Sequence, residues 1–181
     1  KSEIFRYKNG SISAFSNIFR FILLYKKGGY WVDTDLVCIK KLPFKENDIV
    51  FSSEPDNSYK SIIPNAGLIK IPKKNKIIID AMILLRDLKR DTLNGKISWG
   101  LGPYTIKFLV RKYNLNDKIL DWTGISSCRW ADYKSIFYPN TEANSKVIKS
   151  IKDIPESMYC IHLWNEMLRL GGIDKNQIFD K

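Results

Sequence analysis

Much of what usually announces a function is missing from this 181-residue chain. Its longest apolar stretch, Phe21 to Tyr25, is far too short to span a bilayer. Its three cysteines (Cys38, Cys128, Cys160) are odd in number and scattered, so they outline neither a disulfide framework nor a zinc pattern, and a reducing compartment is expected. Histidine occurs once, at position 162. The opening residues, "KSEIFRYKNG", have neither the charged-then-apolar layout of a signal peptide nor the character of a transit peptide. There is no internal repeat and no low-complexity tract.

Hydrophobic residues make up 44% and charged residues 27%, the balance of a chain that packs a core. The expectation is a single domain over residues 1–181, of a size that can bury a sizeable core. Net charge is +11, which favours an anionic partner. The lysines are dispersed, however, in runs such as "KKLPFK" and "IPKKNK", and such runs are usually solvated surface. No zinc-finger or RNP-type signature accompanies them, so nucleic acid is not an expected partner.

Apolar spacing predicts a helix over Ser13 to Lys27, with Phe15, Ile18, Phe19, Ile22 and Leu23 on its apolar face. Ser13 is the expected N-cap. Lys26 and Lys27 suit the negative end, and Gly28 the left-handed stop. A short β-prone run follows at Tyr30-Trp31-Val32, then a second at "LVCI". "DIVFSSE" and "NAGLIKI" read as strands, "SYKSIIP" as a loop or short strand. Residues 75–89 read as a helix with Ile78, Met82 and Leu85 on one face. "SWGLGPYT" is a glycine-rich turn, with Pro103 suited to the first turn of a helix that runs to Tyr113. "SIFYP" and "MYCIHLW" look strand-like. Helices between strands favour an α/β domain.

The most informative stretch is "GGYWVDTD", residues 28–35. If its aromatic run is a central strand, Asp33 and Asp35 emerge at the strand's C-terminal end, where open α/β sheets bind ligands. Two carboxylates so close repel, so a cation beside them or a shared proton is needed. Mg²⁺ or Mn²⁺ carrying a diphosphate answers that need, being held by one or two carboxylates plus phosphates. A D-x-D tripeptide alone is a weak signal, and its bland reading is a solvated turn.

The surroundings carry more. "SNIFRFILLYKKGGYWVDTDLVCIKKL" resembles the sugar-transferase signature S-D-x-x-R-x-x-x-L-x-x-x-G-G-x-Y-x-D-x-D. It is similar to glycosyltransferase family 32: α-1,4-galactosyltransferases, α-1,4-N-acetylglucosaminyltransferases, capsular and lipopolysaccharide sugar transferases, and the related core of the clostridial glucosylating toxins. "NAGLIKI", "SWGLGPYTIKFLVRKY" and "YCIHLWNEML" continue the resemblance in order, over about Ser16 to Met167. It implies a GT-A type fold with a mixed central sheet flanked by helices, a UDP-sugar or other nucleotide-sugar donor, Mn²⁺ or Mg²⁺ as cofactor, and retention of anomeric configuration. The partners implied are that donor and a glycan or glycolipid acceptor, in surface polysaccharide synthesis.

By resemblance Asp35 binds the metal, and Asp33 the donor and the metal, making these two the catalytic pair. Arg20 contacts donor sugar or diphosphate, as a guanidinium fork suits oxygen acceptors. Asn17, one helical turn before it, stands where the family has aspartate; asparagine still accepts a hydrogen bond but lacks the charge. Asn65 is assigned to donor or acceptor hydroxyls. His162 is a metal or diphosphate candidate, with a packed core residue as the competing reading. Trp164 and Asn165 are candidates for the donor diphosphate. Too few residues precede Ser16 for the β-α-β elements that cradle the base in a GT-A fold, so an N-terminally truncated catalytic domain is expected, with the missing part of the same chain as a partner. A cytoplasmic protein is expected, with peripheral contact at an acidic inner membrane face.

Retaining transfer proceeds either by a front-face route or through a carboxylate nucleophile; for the latter Glu54, Asp56 and Glu166 are open alternatives. Trp99 is read either as a sugar-stacking ring or as a buried one. Two rival functions remain. "YWVDTDLV" approaches the nucleophile motif of haloacid-dehalogenase-like phosphatases, which also need Mg²⁺, although a downstream acidic pair is wanting. A catalytically degenerate sugar-binding or scaffold domain is the non-enzyme alternative.

Overall fold

The computed structural model describes residues 4–126, 128–137 and 154–173. It is an α/β protein. In chain order the elements are α1 (Ser13–Lys27), β1 (Gly29–Val32), β2 (Leu36–Cys38), β3 (Val50–Pro55), β4 (Ile62–Ile71), α2 (Lys76–Leu93), α3 (Leu101–Tyr113), three single 3₁₀ turns, α4 (Lys134–Phe137), β5 (Cys160–His162) and α5 (Asn165–Leu170). The chain divides into two compact units. One comprises Lys1–Val32, Phe44–Phe51 and Pro64–Ile119; the other Asp33–Pro43, Ser52–Ile63 and Leu120–Lys181.

The first unit has the larger core. Phe21 and Leu24 of α1, Ile69 and Ile71 of β4, Ile77, Ile78, Ala81 and Leu85 of α2, and Leu101, Ile106 and Leu109 of α3 pack into one cluster. β1 pairs antiparallel with β4, Gly29 opposite Ile71 and Val32 opposite Leu68, and the sheet order is β1-β4-β3. β1 is therefore an edge strand among the described residues, not a central one, and its burial is only partial. β4 starts exposed at Ile62 and Ile63 but is buried throughout from Asn65 to Ile71, and β3 has no exposed residue.

The boundaries of α1 agree with the sequence expectation, but its buried face does not. Ala14, Asn17, Arg20, Phe21 and Leu24 face the core. Phe15, Phe19 and Ile22, which the periodicity assigned to the apolar side, are exposed at 42%, 41% and 38%. The helix carries two apolar stripes, and the buried one is disguised by two polar residues whose bonds are made inside. Nor is Ser13 the N-cap: that position is Ile12, with no capping side chain. Ser11 instead accepts from the Ser13 N–H through its Oγ, at 3.3 Å.

Gly28 ends α1 at φ 69°, its N–H bonded to the Leu24 carbonyl. A Cβ there would lie 2.5 Å from the Lys73 backbone nitrogen, so the position tolerates only glycine. Asn75 caps α2, its side chain accepting the Ile77 N–H at 3.1 Å. Buried Lys70 of β4 donates to the carbonyls of Glu46 (2.6 Å) and Asp48 (3.2 Å) and lies over the Tyr30 ring, holding the preceding loop against the strand.

In the second unit Leu36, Tyr59, Trp122, Ile125, Met158, Cys160 and Leu168 are buried. Its two-stranded sheet pairs β2 with β5 antiparallel: Leu36 with His162, Val37 with Ile161, Cys38 with Cys160. Residues 135–137 of the expected "SIFYP" strand lie in the short helix α4, while positions 138 and 139 lie outside the described residues. Among the described residues no helix is long and apolar enough to cross a membrane.

Candidate functional site

Each unit holds part of the candidate set, and each is built by its own packing. In the second unit Asp33-Thr34-Asp35 forms a turn between β1 and β2, closed by the Leu36 N–H on the Asp33 carbonyl at 3.0 Å. Asp35 is then gripped by a segment far along the chain. Its carbonyl accepts the Leu163 N–H at 2.9 Å, and its Oδ2 accepts the Asn165 N–H at 2.9 Å. The Nε2 of His162 stands 3.4 Å from the same oxygen. Burial by itself would raise the Asp35 pKa. The His162 hydrogen bond and charge, with the Asn165 N–H, outweigh it and hold the carboxyl below its usual range. Asp35 is thus an ionised carboxylate at neutral pH.

His162 is 7% exposed, directly across the ladder from Leu36. Trp164 stacks on its ring, with centroids 3.9 Å apart and planes 24° apart. Trp164 adopts φ 52°, a left-handed conformation uncommon for a bulky residue, and donates its indole N–H to the Cys128 carbonyl at 3.2 Å. That donor is therefore engaged within the unit. The His162 Nδ1 is buried and has no hydrogen-bond partner among the described residues. A satisfied core histidine would not show such an atom. Asn165, expected to act through its side chain, engages Asp35 through its backbone.

The three carboxylate alternatives now separate. Asp56 is consumed by its own loop, accepting from Ser58, Lys60 and Ser61, and these bonds drive its pKa well down. Glu166 is held by both ends of the Arg169 guanidinium, at 2.7 and 2.8 Å. Glu54 on β3 is different. Burial raises its pKa to about 7, against the opposing charge of His162, so near neutrality it is divided between acid and base.

In the first unit, Arg20 is 4% exposed. Its guanidinium donates to the Ala66 carbonyl and to Ser16 Oγ (3.1 Å), and lies 5.0 Å from the Trp31 ring centroid. Asn17, also buried, donates to Tyr7 Oη at 3.4 Å, and the same oxygen accepts the Leu101 N–H at 3.0 Å. Gly102 approaches Asn17 so closely that a Cβ there would lie 2.5 Å from its Oδ1. The "GLGP" turn is thus shaped to fit Asn17. Asn65 accepts the Gly67 N–H at 3.1 Å. Trp99 is half exposed, stacked on Tyr7 at 6.0 Å.

Two arrangements escaped the sequence reading. Tyr7, which bridges Asn17 to α3, lies in an unremarkable N-terminal stretch. Cys38 and Cys160, read as scattered, face each other with sulfurs 3.4 Å apart, and burial pushes the Cys160 thiol up to about 12. Neither has a local sequence signal, because both contacts are made across long separations.

Among the described residues no group of three His, Cys, Asp or Glu side chains is arranged to hold a metal ion. What the structure brings together is a pair, the Asp35 carboxylate and the His162 imidazole. An ionised carboxylate such as Asp35 suits a hard divalent cation only where phosphate and water supply most of the ligands.

Residues 2–77 match the family model described as "Glycosyltransferase sugar-binding region containing DXD motif". The matched stretch takes in α1, the Asp33-Thr34-Asp35 turn and β1 to β4. The chain is also similar to a solved structure titled "PaToxG Glycosyltransferase", at 21% identity and a TM-score of 0.45. That likeness covers 59% of this chain and 38% of the other. No match to a curated protein was found.

Proposed function

We propose that this chain is a metal-dependent retaining glycosyltransferase of GT-A type. It moves a hexose or N-acetylhexosamine from a UDP-sugar to a glycan or glycolipid acceptor. The observation that carries the reading is the family match over residues 2–77, with its Asp33-x-Asp35 turn at the end of the aromatic strand. The structure adds an ionised Asp35 beside a buried imidazole with an orphaned nitrogen.

In this proposal Asp35 and Asp33 hold Mn²⁺ or Mg²⁺, and His162 serves beside them. When bound, the cation neutralises the departing diphosphate. The Asn165 N–H and Trp164 fix the carboxylate and the imidazole in place, so little reorganisation is needed. Glu54 is the carboxyl best suited to exchange a proton near neutrality. For Asn17, Arg20 and Asn65 a donor role rests on the motif alone. A cytoplasmic location with peripheral contact at an acidic membrane face rests on the net charge of +11.

The test is a nucleotide-sugar screen for hydrolysis and transfer with and without Mn²⁺. Release of UDP that depends on the metal is expected; equal turnover in excess EDTA refutes the proposal. Asp35→Ala should abolish the calorimetric signal of Mn²⁺-UDP binding, and an unchanged titration would remove Asp35 from the metal site.

A further inference from the structure

Cys38 and Cys160 are direct cross-strand partners in the β2–β5 ladder. The bonds on either side give the type of pair. The Ile39 N–H reaches the Tyr159 carbonyl, and the Leu163 N–H the Asp35 carbonyl, both at 2.9 Å. Antiparallel pairs alternate, so 39:159, 37:161 and 35:163 are hydrogen-bonded and 38:160 is not. In a pair without hydrogen bonds the Cα atoms come to about 4.5 Å and the side chains lean together, within the range a disulfide spans. The sulfurs stand 3.4 Å apart. Closing to the bonded distance of about 2 Å needs side-chain rotation and no strand shift. Cys38 is exposed and Cys160 buried, so the pair has one sulfur open to solvent and one behind it.

We propose that Cys38 and Cys160 form a reversible dithiol–disulfide couple that clamps β5 onto β2. The oxidant is a low-molecular-weight disulfide such as oxidised glutathione. The Cys38 thiolate attacks one of its sulfurs, giving a mixed disulfide and releasing one thiol. Cys160 then gives up its proton and attacks the Cys38 sulfur, expelling the second thiol. Two electrons and two protons leave the protein pair, and two molecules of reduced thiol are produced. The new bond fastens two three-residue strands, of which β2 begins one residue after Asp35 and β5 ends at His162. The chemistry of the clamp is independent of the proposed transferase reading.

The folded chain is equilibrated with reduced and oxidised glutathione over a range of ratios, quenched with acid and alkylated. Free thiols are expected to fall from three to one, with Cys128 the one that remains. Proteolytic mapping should recover a Cys38–Cys160 peptide, and amide exchange in β2 and β5 should slow on oxidation. Cys160→Ser should accumulate glutathione on Cys38, because the resolving sulfur is gone. Reducing the clamped protein with excess thiol should return all three thiols. Retention of three free thiols at the most oxidising ratio overturns the proposal, as does a recovered link that is intermolecular or involves Cys128. These outcomes are read by mass on the wild-type fold, so they stand whether or not sugar transfer is found.

Discussion

Replacing Gly102 by alanine tests how α3 is seated on α1. The new Cβ would lie 2.5 Å from Asn17 Oδ1 and 2.9 Å from the Ala66 Cβ, both buried. Optimal carbon contacts lie near 3.5–4.0 Å, so about 1 Å must be found in a packed region. Overpacking costs about 1–3 kcal/mol; two contacts under 3 Å to buried atoms place it in the upper half, about 2–3, and the gain in helix propensity from Gly to Ala returns roughly 1. A net loss of about 1–2 kcal/mol is expected. With a urea slope of roughly 2 kcal/mol/M, the midpoint falls by about 0.5–1 M. Asn17→Ser removes the opposing amide. Alone it destabilises through the lost bond to Tyr7; in the Gly102→Ala background it should restore stability. A double-mutant cycle should therefore show coupling of about 1 kcal/mol or more. Hydrogen exchange at the amides of α1 and α3 localises the effect to the first unit. Wild-type stability of Gly102→Ala, or strict additivity in the cycle, would refute this account of the glycine and with it the role of Asn17 as a packing partner.

Glu54 holds its proton to about pH 7 in the fold, against 4.5 for an unperturbed glutamate. Its favourable share of stability is complete below pH 4.5, where both states are protonated. It is lost as the pH rises to 7, because the unfolded chain has already released the proton; the loss is at most about 3 kcal/mol. Glu54→Gln should flatten that slope in urea titrations, and an unchanged slope would count against the burial argument. Lys70→Met leaves the Glu46 and Asp48 carbonyls without their buried donor, at a cost of roughly 1–3 kcal/mol. Limited proteolysis should then cut near residues 44–48; resistance equal to wild type would contradict the assigned role.

Legibility followed the range of the interactions. The limits of α1, the start of α2 near residue 75, the strands around residues 50–55 and 65–71, and the α/β class were readable because helix spacing and β-branched runs are local signals. The buried face of α1 was misread because Asn17 and Arg20 look like surface residues until their partners, Tyr7, Gly102 and the Ala66 carbonyl, are known. β1 reads as a buried strand from its aromatics, but pairing, which has no local signature, leaves it at an edge. The Asp33-x-Asp35 turn was visible in the sequence. The residues that hold Asp35 were visible only as a resemblance.

Asp35 and Asn165 are 130 positions apart, and the imidazole comes from the same late segment. The family-model match ends at residue 77, well before His162 and Asn165. The acidic turn is therefore not a transplantable cassette. A chimera that moved residues 2–77 into a distant relative would carry the carboxylates and leave behind the amide and ring that hold Asp35. Any exchange of parts among such proteins must carry both ends of the chain together.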